Sequence, residues 1–456
     1  MLGIQKHIRK LCFRNRASIL RAFRGLLADQ VRPLAEIADM QLERLNTLLN
    51  HACRKVPYYR RVLDEAGILK EGSINLDALE QLQNIPFLTK DIIRREKEQI
   101  FADDHLSRRS FINASGGSTG TPVEFLQDRA YGIADAAHLM LLKNWRGVGP
   151  YDSEIFLWGS ERDTFNGKKP LRGAVGDFLR NRIVLNCFRM TPQDMERYIH
   201  VFNNHHAMMI RAYAEAIYEI ARYARCGKKA VFPQKVIHTS AGNLYPFMRE
   251  MIEEVFRCRV FDHYGSREVG SIASECKAHD GLHIMMAHNI VEIVDREGRA
   301  CRPGEEGEIV ITNLNNFSMP FIRYKIGDLG IMADYAPCPC GCNYPKLEHI
   351  SGRVTDTFLT ADGAAVSPGY FIHLIGVVIR DSAIEKFQVV QRGLRDVVVR
   401  IVRNGDIHEA ILTRIEGDIK RAMGKDCAVT FEYTNNIRPA PSGKYTYTIR
   451  EIGQKE

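Results

Sequence analysis

The chain has 456 residues, 45% of them hydrophobic, which excludes a wholly disordered protein and leaves room for more than one domain. Its apolar stretches, such as Ile372 to Ile379, fall far short of the roughly 20 residues a spanning helix requires. The formal charge of +8 suits an anionic small molecule or an acidic membrane surface, but it lacks the density of a dedicated nucleic-acid binder.

From the start of the chain, Ile4, Ile8, Leu11, Ile19, Phe23 and Leu27 recur at helical spacing with Arg and Lys between them, so residues 1–30 read as a basic amphipathic helix. It serves either as a cap packed on the main domain or as a peripheral membrane contact. Lys6, Arg9, Lys10, Arg14 and Arg16 interrupt its apolar residues, unlike a secretory leader, so the chain is expected in the cytoplasm with its 11 cysteines reduced. A second helical stretch, Leu42 to Ala66, should break or bend at Pro57.

Between about residues 130 and 310, helical periods such as Ala214 to Ala224 alternate with β-branched runs such as Val231 to Thr239 and Ile290 to Val294, which predicts α/β layering. After Arg353 a compact series begins. Thr357 to Val366 reads as a hairpin around Asp362-Gly363, and Gly369 to Ile379 as a helix. A strand pair follows within Ile384 to Val402, then a helix over His408 to Met423 and a strand at Ala428 to Tyr433.

The segment Asn113-Ala-Ser-Gly-Gly-Ser-Thr-Gly-Thr-Pro122 crowds three glycines and four hydroxyl residues into ten positions. Glycines let backbone N–H groups approach an anion and hydroxyls add donors, as a polyphosphate cradle requires. No Lys-Ser/Thr pair closes it, so it is not a Walker loop; alone, such a segment is equally a flexible turn. Four further segments follow in order: His263-Tyr-Gly-Ser-Arg-Glu268, Arg323-Tyr-Lys-Ile-Gly-Asp328, Ser351-Gly-Arg-Val-Thr-Asp356 and Pro441-Ser-Gly-Lys444.

Together these five segments resemble, in register over most of the chain, the signatures of the adenylate-forming superfamily that includes acyl-CoA synthetases, luciferases and peptide-synthetase adenylation domains. Leu48-Leu-Asn-His-Ala-Cys-Arg-Lys-Val-Pro-Tyr-Tyr59, Pro86-Phe-Leu-Thr-Lys90, Pro320-Phe-Ile-Arg-Tyr324 and Cys338-Pro-Cys-Gly341 are similar to its phenylacetate-CoA ligase and CapK-like capsular polysaccharide branch. The resemblance implies a large multi-layer α/β domain over 1–352 and a small mobile α+β lid over 353–456. It implies ATP-dependent adenylation of a carboxylic acid, with CoA or another thiol as acceptor.

Carried over by that resemblance, Ser115, Gly116, Gly117, Ser118, Thr119 and Gly120 hold the phosphates of ATP and Glu268 ligates Mg²⁺. Tyr264 lies against the adenine and Ser266 near the α-phosphate, with Gly265 between them among the cofactor-binding residues. Asp328 and Arg353 hold the ribose, Asp356 is the hinge, and Lys444 reaches the reacting carboxylate when the lid closes. Departures from the common pattern are Ala114 with the doubled Gly116-Gly117, Arg267 before the acid, and Lys325-Ile326 in the third motif; these bear on substrate and rate.

Cys276, His283, Cys338 and Cys340 form a candidate structural Zn²⁺ site, since thiolates plus imidazole suit tetrahedral zinc. His279 and Cys342 are substitute ligands, and a free-thiol turn is the alternative. Trp145, Trp158, Tyr213 and Tyr264 lie in regions that could line an aromatic acid's pocket. The expected partners are small molecules, with no nucleic acid, and the assembly is a monomer or a homodimer. A rival reading is a non-catalytic nucleotide-binding scaffold of surface-polysaccharide assembly.

Overall fold

The computed structural model describes residues 17–70, 72–115, 123–159, 177, 181–187, 190–379, 383–437 and 445–452. Residues 1–16 of the N-terminal basic helix lie outside them. The helix Ala17–Asp29 buries Ile19 and Leu26 and packs on the helix Arg129–Trp145, as a cap would. The helix Leu34–Lys55 points Ile37, Gln41, Leu45, Leu48, Leu49, Ala52 and Cys53 inward at three- and four-residue spacing. It stops at Val56, which is extended because the residue before a proline disfavours the helical region, and Pro57 then opens the helix Pro57–Glu65.

Two short strands, β1 (Phe111–Ala114) and β2 (Glu124–Gln127), form an antiparallel hairpin whose connection is the glycine-rich segment. The main sheet begins with β3 (Glu154–Trp158), β4 (Arg182–Asn186), β5 (Met209–Tyr213), β6 (Ile237–Ser240) and β7 (Val260–Ser266), all parallel. Helices Pro192–His205, Ala214–Cys226 and Pro246–Phe256 connect these strands, the first opened by a Thr191/Asp194 capping box. Residues 231–236 lie outside β6, so the β-branched run from Val231 becomes a strand only at its end.

The sheet continues antiparallel through β8 (Gly270–Ser274), β9 (Leu282–Ile284), β10 (Asn289–Val294), β11 (Glu306–Asn313), β12 (Tyr324–Met332) and β13 (Lys346–Arg353). The resulting 11-stranded order is β10-β11-β12-β13-β9-β8-β7-β6-β5-β3-β4. Its two halves meet at β7 and β8, and this junction carries Tyr264, Ser266 and Glu268.

After Arg353 come the hairpin β14 (Phe358–Leu359) and β15 (Ala365–Val366), turned at Gly363 with φ +84°, and the helix Pro368–His373, which widens into a π-helical turn over Leu374–Ile379. β16 (Ile384–Gly393), β17 (Asp396–Arg403), β18 (Ala428–Tyr433) and β19 (Thr448–Arg450) make a four-stranded sheet in the order β18-β17-β16-β19. The helix Glu409–Met423 buries Ile415, Ile419 and Met423 toward the same core. This is the α/β architecture with a small C-terminal α+β unit that the pattern predicts. No helix among the described residues is long and apolar enough to cross a membrane.

The C-terminal unit touches the parallel half of the main sheet through aromatic rings and charges. Tyr245 and Phe247 stack with centroids 5.9 Å apart, and Tyr447 meets both edge-on at 5.4 and 6.0 Å. Beside them Arg222 pairs with Glu385, and Lys386 Nζ lies 3.1 Å from Glu219.

Candidate active site

β12 and β13 are antiparallel neighbours whose register sets Asp328 opposite Arg353. The Arg353 Nε lies 3.8 Å from Asp328 Oδ1, while the Tyr264 hydroxyl donates to Asp328 Oδ2 at 2.8 Å. Burial, followed by the Asp328 charge, pushes the Tyr264 phenol well above its ordinary pKa, so it remains a donor. Three separate motifs thus meet at one carboxylate.

Glu268 is 7% exposed and makes no ion pair among the described residues; the Tyr324 hydroxyl donates to its Oε1 at 3.4 Å. A buried carboxylate without a basic partner is costly unless a cation completes it, and a hard oxygen donor is what Mg²⁺ takes, so the residues present fit that ion.

Gln127 on β2 donates to the carbonyls of Arg267 at 2.7 Å and Glu268 at 3.3 Å, and its Oε1 accepts from Asn113 at 3.0 Å. The neck of the glycine-rich segment closes where Ser115 N–H donates to the Val123 carbonyl and Val123 N–H donates to Ser115 Oγ, both at 2.9 Å. The segment is therefore anchored beside Glu268. Gly116, Gly117, Ser118, Thr119 and Gly120 themselves lie outside the described residues, as does Lys444.

Gly265 is required where it stands, because a Cβ there would lie 2.7 Å from the Gly270 carbonyl. Ser266 Oγ accepts from Val269 N–H at 3.3 Å and pairs in register with Gly270. Asp356 closes the short 3₁₀ turn Val354–Asp356 directly after β13. Burial pushes its carboxyl up, opposed by Arg353 and Arg450.

The Cys and His residues also converge. The ligand atoms of Cys276, His283, Cys338 and Cys340 all lie within 4.8 Å of one another. Cys276 and Cys338 sulfurs are 3.6 Å apart, and Cys340 Sγ is 3.4 Å from His283 Nε2. Tetrahedral zinc with Zn–S of about 2.3 Å sets sulfur–sulfur edges of about 3.8 Å, so this donor set fits.

His283 Nδ1 lies 2.7 Å from the Tyr344 carbonyl, which fixes the tautomer that leaves Nε2 for a metal, while Ala278 and Cys342 N–H groups donate to the Cys276 and Cys340 sulfurs. His279 instead faces Glu275 and the Phe261 ring, and Cys342 is buried outside the quartet. Neither substitute ligand belongs to it.

Of the four aromatics, Trp158 and Tyr213 lie at the ends of adjacent strands with ring centroids 4.6 Å apart, and Tyr264 lies within β7, across the intervening β6. Trp145 does not join them. It packs on His283 of the candidate metal-ligand quartet, and its Nε1 donates to Gln30. Sequence reasoning missed Gln127, Arg211 and His238. The charge of Arg211 within the otherwise apolar Met209–Tyr213 was a usable signal.

Residues 358–451 match the family model of the CapK C-terminal domain. The chain is 24% identical to Protein CapK of Staphylococcus aureus, over 93% of its own length and 91% of that protein's. It is 28% identical to a phenylacetate-coenzyme A ligase of Thermus thermophilus, over 74% of each. In structure it superposes on 2-hydroxyisobutyryl-CoA ligase in a postadenylation state with TM-score 0.73 at 20% identity, covering 93% and 91% of the two chains.

Fold and relatives together define an enzyme of the AMP-forming acid–thiol ligase class. Within it, the resemblance to the phenylacetate-CoA ligase and CapK-like branch of the adenylate-forming superfamily is borne out.

Proposed function

We propose that the protein adenylates a carboxylic acid with ATP, releasing pyrophosphate, and transfers the acyl group to CoA or another thiol. The observation that carries this reading is the meeting of Tyr264, Asp328 and Arg353 at one carboxylate, beside a glycine-rich segment tied by Gln127 to the backbone at Glu268. In it the substrate carboxylate oxygen attacks the α-phosphorus and the bond to the β-phosphate breaks. Ser115 and the segment through Gly120 cradle the phosphates, and Ser266 lies near the α-phosphate.

Asp328 accepts from the ribose hydroxyls, with Arg353 holding it in place, and Tyr264 borders the adenine. Glu268 would hold Mg²⁺, which when bound supplies charge neutralisation at the phosphates. Residues 353–456 act as the lid, turning at Asp356 and delivering Lys444 as a point charge to the reacting carboxylate. Cys276, His283, Cys338 and Cys340 would hold a structural Zn²⁺.

Pyrophosphate release measured across a panel of acids, with ATP alone as blank, tests the reading. Lys444→Ala should abolish acyl-AMP formation while ATP still binds. Normal adenylation by that variant would remove Lys444 from its role.

A further inference from the structure

On the parallel sheet, Phe156, Arg211, His238 and Phe261 are successive cross-strand neighbours on β3, β5, β6 and β7. Two residues further toward the strands' carboxyl ends stand Trp158, Tyr213, Ser240 and His263, the last adjoining Tyr264. Carboxyl ends of parallel strands are where such sheets bind ligands.

This row contains donors with nothing to donate to. The Arg211 guanidinium has no hydrogen bond or ion pair among the described residues, and its buried Nε has no partner. Its guanidinium lies over the Phe156 and Trp158 rings, 5.5 and 5.2 Å from their centroids. Burial draws its pKa down to about 10, so it stays charged at neutral pH. The residue keeps partial access to solvent and so borders open space.

Arg146 Nη1 donates to His238 Nδ1 at 2.5 Å. A guanidinium only donates, so Nδ1 is the acceptor and Nε2 of the neutral ring carries the hydrogen. Burial and then the Arg146 and Arg211 charges hold the ring neutral. That Nε2–H, on a residue 2% exposed, has no acceptor.

His263, 6% exposed, shares its Nδ1 with Ser240 Oγ at 3.1 Å, and its Nε2 is likewise unpartnered. A Cβ on Gly265 would lie 3.4 Å from that nitrogen, so the donor row reaches the candidate adenylate site. The carboxylate whose charge acts most on Arg211 is Asp135, but its Oδ1 accepts from Ser271 N–H at 3.1 Å and Ser271 O–H at 3.2 Å.

A part-buried cation and two buried, unpartnered imidazole nitrogens are expensive features beside apolar rings, and they become favourable when a ligand brings oxygen acceptors. We propose that the acyl subsite takes a carboxylic acid bearing a second oxygen acceptor, in first place a second carboxylate, held by Arg211 and His238. Trp158 and Tyr213 flank it, and the reacting carboxyl points toward Gly265 and Ser266. The second group is bound without reacting. The proposal rests on the adenylation reading above.

The test pairs straight-chain monocarboxylic acids of three to six carbons with dicarboxylic and hydroxy acids of equal length, in ATP–pyrophosphate exchange. Calorimetric binding of the matching acyl-sulfamate adenosine mimics runs alongside. At least about a tenfold preference for the doubly oxygenated acids is expected, and Arg211→Met, which keeps the stem against the rings, should erase it with ATP binding unchanged.

Equal or better use of plain monocarboxylic acids, or selectivity untouched in Arg211→Met, overturns the proposal and leaves adenylation standing. If no acid supports exchange, the adenylation reading fails, and mimic binding alone then decides the subsite. Should the Met variant fail to fold, Arg211→Gln and the wild-type mimic preference carry the same decision.

Discussion

Asp328 is held by two unlike donors, a neutral phenol at 2.8 Å and a guanidinium nitrogen at 3.8 Å. The shorter contact positions one oxygen, and the longer one leaves the other available to the proposed ribose. Tyr264→Phe removes the hydrogen bond that Asp328 Oδ2 accepts from the phenol, without opening a cavity. Hydrogen bonds to charged groups contribute about 1.5–3 kcal/mol, so this variant should raise the KM for ATP roughly tenfold or more, with melting temperature little changed. An unchanged KM would mean that the phenol does not orient the carboxylate.

Among the elements, the cysteine and histidine quartet brings the turn after β8 and the strand β9 against the loop between β12 and β13, regions more than 50 residues apart in the chain. A bound metal would tie them together. We expect elemental analysis to find about one zinc per chain. Cys276→Ser should lose the metal and lower the melting temperature by several degrees, since metal binding contributes directly to folding free energy. A metal-free wild type of undiminished stability would leave the quartet as thiols.

Such elements also show what a sequence discloses. The hairpin at Asp362-Gly363 and the strand Ala428–Tyr433 were readable because turn chemistry and period-two alternation are local. The helix break at Pro57 was readable for the same reason. The pairing of Lys346 with His283 in β13 and β9 is not local, and no periodicity reports it. Trp145 misled because an aromatic residue's type says nothing of which side of a helix faces a pocket. The roles of Arg211 and His238 depend on which neighbours fail to partner them, a property visible only once the sheet is assembled.

Over the whole molecule, the C-terminal unit meets the parallel half of the main sheet through aromatic rings, a shared apolar cluster and the Arg222–Glu385 and Lys386–Glu219 pairs. The two charge pairs, with side chains 19–30% exposed, orient this contact beside the shared apolar cluster. Arg222→Glu should shift the ratio of adenylation to thioester formation by roughly two- to fivefold in single-turnover measurements, and Arg222→Glu with Glu385→Arg should restore it. A constant ratio in both, and in Tyr447→Ala, would show that this contact does not time the reaction.

Arg353 ends β13 and Asp356 stands three residues later, with Gly352 (φ +144°) pressed on Pro368 between the sheet and the next helix. The same few residues therefore lie beside Asp328 and at the root of the following unit. Under the proposed hinge and ribose roles, a change in 352–356 made to retune the turning of residues 353–456 should alter nucleotide affinity at the same time. The two are then geared together through Arg353, and separating them calls for changes on the far side of the molecule.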